Sequence, residues 1–118
     1  MKNVKKSLKA LPLSMRGKKR YVLFELFAEK PLSAAIVEKE IMQRFLQIFG
    51  SKGIAEQRLQ FIGFYGGKNL GIVKCSLEEC ENVKAGLLFV GKVAGISAIP
   101  RIVSVSGSVK KLKTIAGK

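Results

Sequence analysis

The chain predicts an α+β sandwich of the ferredoxin-like (RRM-like) kind: a four-stranded antiparallel sheet, two helices on one face, and a short C-terminal helix. Three observations lead there. At 118 residues the chain is long enough for one two-layer core. Its hydrophobic periodicity switches in the order strand, helix, strand, strand, helix, strand, which is the split βαβ arrangement written βαββαβ. Finally, Tyr21-Val22-Leu23-Phe24-Glu25-Leu26-Phe27 is apolar on both alternating faces, the pattern of a strand buried on two sides. Right-handed crossovers place both helices on one face and make the first and third strands central.

Residues 1–14 are expected to form a basic N-terminal arm, and 15–118 a single domain. In the arm, Val4, Leu8 and Leu11 share a helical spacing that Pro12 cuts short. Arg16, Lys18, Lys19 and Arg20 then form an acid-free basic run leading into the first strand. Pro31 breaks the strand pattern, Ser33 is placed to cap a helix, and Leu32 with Val37 fits a hydrophobic staple. Val37, Ile41, Phe45 and Ile48 give that helix its inward stripe, with an end at Gly50 and Gly53. Alternation over 59–65, turn chemistry in Gly66-Gly67-Lys68-Asn69 and a run from Leu70 to Cys75 predict the second and third strands.

Ser76-Leu77-Glu78-Glu79 reads as a capping box for the second helix, whose stripe is Cys80, Val83, Leu87 and Val90 and which Gly91 and Gly95 close. The last strand is expected from Ser97 to Val105, with Ile99, Val103 and Val105 on one face and Ala98 and Ile102 on the other. Pro100 has no N–H to donate, so this strand belongs at an edge. Ser106-Gly107-Ser108 leads into the terminal helix, with Val109, Leu112 and Ala116 inward and Lys110, Lys111 and Lys113 outward.

Charge narrows the function. The formal net charge is +14, and it is carried by the ends: residues 1–20 and 101–118 contain no acid, whereas 21–100 hold all eight glutamates against nine basic residues. Cationic ends on a near-neutral body suit a polyanion. There is no His, Asp or Trp, so the usual metal sites and acid–base pairs cannot be built, and neither catalytic nor metal-binding residues are assigned. Cys75 and Cys80, spaced C-x4-C without His, read as reduced core thiols. Nothing near Met1 resembles a signal peptide and no apolar run approaches the ~20 residues of a membrane span, so a cytoplasmic protein with no membrane partner is expected.

The sheet face without helices raises a separate question. In RNA-binding domains of this shape, aromatic residues on the third strand stack bases. Here that strand reads Leu70-Gly71-Ile72-Val73-Lys74-Cys75, without an aromatic, which argues against a stacking platform. Tyr21, Leu23 and Phe27 nevertheless make this face apolar. Either a partner protein covers it, with these three residues as the interface, or the terminal helix folds back over it.

The sequence resembles the archaeal ribonuclease P protein component 2 family, related to a subunit shared by eukaryotic ribonuclease P and its relative in ribosomal-RNA processing. The resemblance runs from about Leu11 to Lys113. Its carriers are Leu11-Pro12-x-x-x-Arg16 with Lys18-Lys19-Arg20-Tyr21, Gly71-Ile72-Val73-Lys74-Cys75, and Arg101-x-x-x-Val105-Ser106-Gly107-Ser108-Val109-Lys110-Lys111-Leu112-Lys113. It implies a ribonucleoprotein endonuclease that removes the 5′ leader of precursor tRNA, with chemistry done by a catalytic RNA and its Mg²⁺ ions and no cofactor held by this chain. It also implies partnership with ribonuclease P RNA, precursor tRNA, protein component 3 and other subunits, with a homodimer inside a two-plus-two assembly.

On this reading Arg16, Lys18, Lys19, Arg20, Lys110, Lys111 and Lys113 contact RNA phosphates. Two other classes share the strand order. A small-molecule regulatory domain of the ACT type would explain the Gly-rich turns but not the cationic ends. An acylphosphatase-like hydrolase needs an Arg and an Asn around an anion loop, and Asn3, Asn69 and Asn82 lack that setting.

Overall fold

A strand with apolar residues on both faces can satisfy itself only between two layers, and Lys19–Phe27 (β1) does so at the centre of the sheet. The computed structural model describes residues 18–117. β1 is followed by a helix over Ala34–Gln57 (α1), strands Gln60–Tyr65 (β2) and Leu70–Ser76 (β3), and a helix over Cys80–Leu87 (α2). A small hairpin, Lys92–Val93 (β4) with Ile96–Ser97 (β5), leads into the strand Ile99–Ser106 (β6) and the final helix Val109–Ala116 (α3). The main sheet runs β2-β3-β1-β6, antiparallel throughout, with β1 and β3 central as expected.

Two cores flank the sheet. On one side Val22, Phe24 and Leu26 of β1 and Val73 and Cys75 of β3 meet Val37, Ile41 and Phe45 of α1 and Cys80, Val83 and Leu87 of α2. Two glycines make this packing close. A Cβ at Gly71 would stand 2.4 Å from the Phe24 ring, and one at Gly86 would stand 2.7 Å from the Phe45 ring. On the other side Tyr21, Leu23 and Ile72 are covered by Leu112 and Ala116 of α3. The terminal helix therefore folds back over the open face. Tyr21 and Leu23, expected at a protein interface, are 8% and 0% exposed within the chain itself.

Local details depart from the expected elements. The first helix does not stop at Gly50; that residue takes φ 74° and ψ 171°, a kink only glycine accepts easily, and helix resumes to Gln57. Inward positions step by four, from Val37 through Ile41 and Phe45 to Phe49, whose ring centroid lies 5.4 Å from that of Phe45. Ile48, expected in this stripe, is consequently exposed. The capping box does not form: the Ser76 hydroxyl is turned toward the Glu56 carbonyl, 3.4 Å away, and a 3₁₀ turn over Leu77–Glu79 intervenes before α2. Ser33 caps α1 by position only, its carbonyl accepting from Val37 N–H at 2.9 Å.

In β6 the pairing slips between Leu23 and Phe24, which face Ser104 and Ile102, so Val103 is an extra, bulged residue. The bulge puts Val105 opposite Val22 and separates it from Ile99 and Val103, which were expected on its face. Pro100 lies opposite Leu26 in the edge strand, where its missing donor costs no ladder bond.

Candidate nucleic-acid interface

From Lys18 onward the basic run is tied to the sheet by backbone bonds. Lys18 accepts a hydrogen bond from Leu77 N–H at 2.9 Å, and Lys19 and Arg20 already pair with Ser76 and Cys75 of β3. Arg20 Nη1 donates to the Lys19 carbonyl at 2.9 Å, and its guanidinium lies against Gly107, where a Cβ would come within 3.3 Å. Gly107 is the hinge into α3, and the turn is tied by Ser108 N–H donating to Ser106 Oγ at 3.0 Å. One corner of the molecule thus unites the start of β1 with the start of α3. Lys18, Lys19, Lys110 and Lys111 are exposed there, Lys113 is exposed one turn further along α3, and Arg16 lies outside the described residues.

The other end of α3 is fixed by a residue whose role sequence reading missed. Lys68 Nζ donates to the Ala116 carbonyl at 2.8 Å, placing a cation on the negative end of the helix dipole. Its position in a Gly-Gly-Lys-Asn turn signals only a turn; nothing local says which helix end it meets.

Most acids lie off this surface, the exceptions being Glu78 and Glu79, which directly follow the Leu77 that bonds to Lys18. Neither β2, β3, β6 nor α3 contains one, and six of the eight glutamates sit on α1, α2 or the turn between β3 and α2. Glu25 of β1 is ion-paired with Arg101 of β6 at 2.9 Å, near the far end of the sheet. At that end Phe27 lies opposite Ile99, and the pair is 68% and 65% exposed.

Among the described residues no group of three or more His, Cys, Asp or Glu gathers that could hold a metal ion. The two cysteines are free and buried. Burial, then the neighbouring Cys80, pushes the Cys75 thiol up to about 12, the opposite of what a nucleophilic thiolate needs.

Fold and corner together define a small basic protein of ferredoxin-like architecture, its open sheet face covered by its own terminal helix. The particular lineage follows from comparison: the chain belongs to the Rpp14/Pop5 family, whose model matches residues 20–116. A relative named ribonuclease P protein component 2 from Methanosarcina mazei is 34% identical over 104 residues, covering 88% of each chain. Its namesake in Archaeoglobus fulgidus is 33% identical over 106 residues, 90% of this chain and 94% of that one. The Thermococcus gammatolerans namesake is 35% identical over 105 residues, 89% of this chain and 88% of its own. The fold also matches a chain in the cryo-EM structure of yeast ribonuclease MRP, with TM-score 0.62, 8% identity, and coverage of 85% of this chain and 89% of that one.

Proposed function

We propose that this chain is the component 2 protein subunit of a ribonuclease P and that it holds the catalytic RNA in its working shape. Kinship over about nine-tenths of the chain supports the subunit role. The observation that carries RNA binding is the corner at which Arg20 lies against Gly107, which brings the Lys18–Arg20 run beside the start of α3 with its exposed Lys110 and Lys111, while β6 and α3 hold no acid. Each lysine that neutralises a phosphate releases counterions, so the binding is sequence-independent and salt-sensitive. The chemistry of 5′-leader removal belongs to the RNA and its Mg²⁺ ions, and the protein works with them in the cytoplasm. Phe27, exposed beside Ile99, offers an apolar surface to component 3, another subunit or a second copy in a two-plus-two assembly.

Reconstitution tests this. Ribonuclease P RNA with component 3 should cleave precursor tRNA faster when this protein is added, and the protein alone, freed of nucleic acid, should not cleave. Failure to retain the RNA at low salt together with no effect on cleavage overturns the proposal.

A further inference from the structure

We infer that RNA contact continues from the corner across the sheet along a strip formed by Gln60, Lys74, Tyr21 and Ser106, with Lys74 as its phosphate ligand. This deepens the reading above and rests on it. The strip is a product of register. Lys74 of β3 lies directly opposite Gln60 of β2 on one side and Tyr21 of β1 on the other, and Tyr21 lies opposite Ser106 of β6. Directly opposed residues on antiparallel strands project to the same face, and Tyr21 belongs to the core beneath α3. One side chain from each strand therefore stands in a row on the α3 face, spanning about 14 Å at ~4.8 Å per strand.

The next row inward is Leu23 with Ile72, fully buried under Leu112. The row at Lys74 marks the margin of that cover: Gln60 is exposed, Lys74 and Ser106 half-buried, and only Tyr21 is enclosed. Its accessible chemistry is an amide, an ammonium and a hydroxyl, which suits phosphate oxygens and ribose hydroxyls.

Charge points the same way. Arg44, Lys84 and Arg101 have glutamate partners, and Lys68 has a carbonyl. Among the described residues Lys74 has neither an ion pair nor a side-chain hydrogen bond. Lys19 stands on the same face one pair outward, opposite Ser76, so Lys19 and Lys74 are diagonal neighbours about 7–8 Å apart. Glu25, the nearest acid on this face along β1, is four residues from Tyr21, about 13 Å in extended chain and beyond a Debye length of about 8 Å. Two adjacent lysines with no acid between them repel until a polyanion neutralises both. A phosphodiester backbone running from the corner across the strand ends does so.

The test uses the full chain and the ribonuclease P RNA of its own cell. Lys74→Gln should lower the salt slope of binding by about 0.7–0.9 and weaken affinity about fivefold near 0.15 M salt, as for one lost phosphate contact. Lys39→Gln, which removes the same charge from the exposed side of α1, should leave the slope unchanged, and Lys74→Arg should keep wild-type binding. A benzophenone side chain at Gln60 should cross-link to RNA, and one at Gln43 on α1 should not. If Lys74→Gln binds like wild type while Lys18→Gln/Lys19→Gln binds weakly, the strip is wrong and the corner stands. If both bind like wild type, the RNA-binding reading itself fails. A cross-link from Gln60 to a protein subunit in the reconstituted complex, in place of RNA, also overturns the strip.

Discussion

The two ends of β1 lie on one sheet face and have opposite characters. At the Lys19 end the side chains on the α3 face are Lys19, Tyr21 and, across the ladder, Lys74 and Ser106; at the other they are Glu25, Phe27, Arg101 and Ile99. The first end carries unopposed cations. The second pairs its one acid with its one base and leaves an aromatic and an aliphatic side chain in water. Both depend on α3, which is long enough to hide the apolar middle of the face but neither margin. A single helix thereby divides one surface into a part suited to a polyanion and a part suited to protein.

The largest effect should come from removing that divider. Leu112→Ala empties a fully buried position and should cost about 2–5 kcal/mol, read as a lower urea midpoint. A loss below about 1 kcal/mol would show that α3 is an ornament and that the two ends are not separated by it.

Next is charge reversal at the cationic end. Lys18→Glu/Lys19→Glu should lower the salt slope by up to about 1.8 and weaken RNA binding about thirtyfold near 0.15 M salt, with an unchanged circular dichroism spectrum. The same substitutions should leave association with component 3 alone intact, since the apolar end is untouched. Loss of both activities would erase the distinction.

The reciprocal change is Phe27→Ser. The side chain is mostly in water, so stability should move by no more than about 0.5 kcal/mol. Association with component 3, or of the protein with itself, should weaken about tenfold or more, the effect of losing an aromatic anchor. Unchanged affinity in both titrations places the protein interface elsewhere.

The smallest effect belongs to the ion pair that neutralises the apolar end. Glu25→Gln should cost less than about 1 kcal/mol, because Arg101 is largely solvated. It should nevertheless raise non-specific RNA retention slightly by freeing Arg101. A drop in retention would contradict the idea that acids are placed to keep this end off RNA.

The element order and the central place of β1 were legible because period-two and period-four apolar spacings are local signals. YVLFELF needs no partner to declare itself two-sided. What covered the second side was not legible: Leu112 and Ala116 fit a helix stripe, but that stripe would equally suit another protein. The bulge at Val103 escaped because a bulge is a property of pairing, and the strand's own alternation runs on unbroken. The kink at Gly50 hid inside what looks like a helix terminator, and Ser76 carried a capping motif that its neighbour at the end of α1 overrode. At the site, Lys18 to Arg20 and Lys110 to Lys113 stood out as runs. Lys74 did not, since its neighbours in space come from positions 21 and 60, joined only by register.

The latch between Lys68 and the end of α3 has a consequence for how the molecule is born. Leu23 is made early, and the residue that covers it, Leu112, is added roughly ninety positions later. At about 5–20 residues per second, roughly 4–18 s separate the making of Leu23 from the making of that cover. The hairpin turn bearing Lys68 is already available when α3 emerges, ready to catch the Ala116 carbonyl and fix the last helix in place. Because β6 is completed only just before α3, the sheet and its cover are finished almost together.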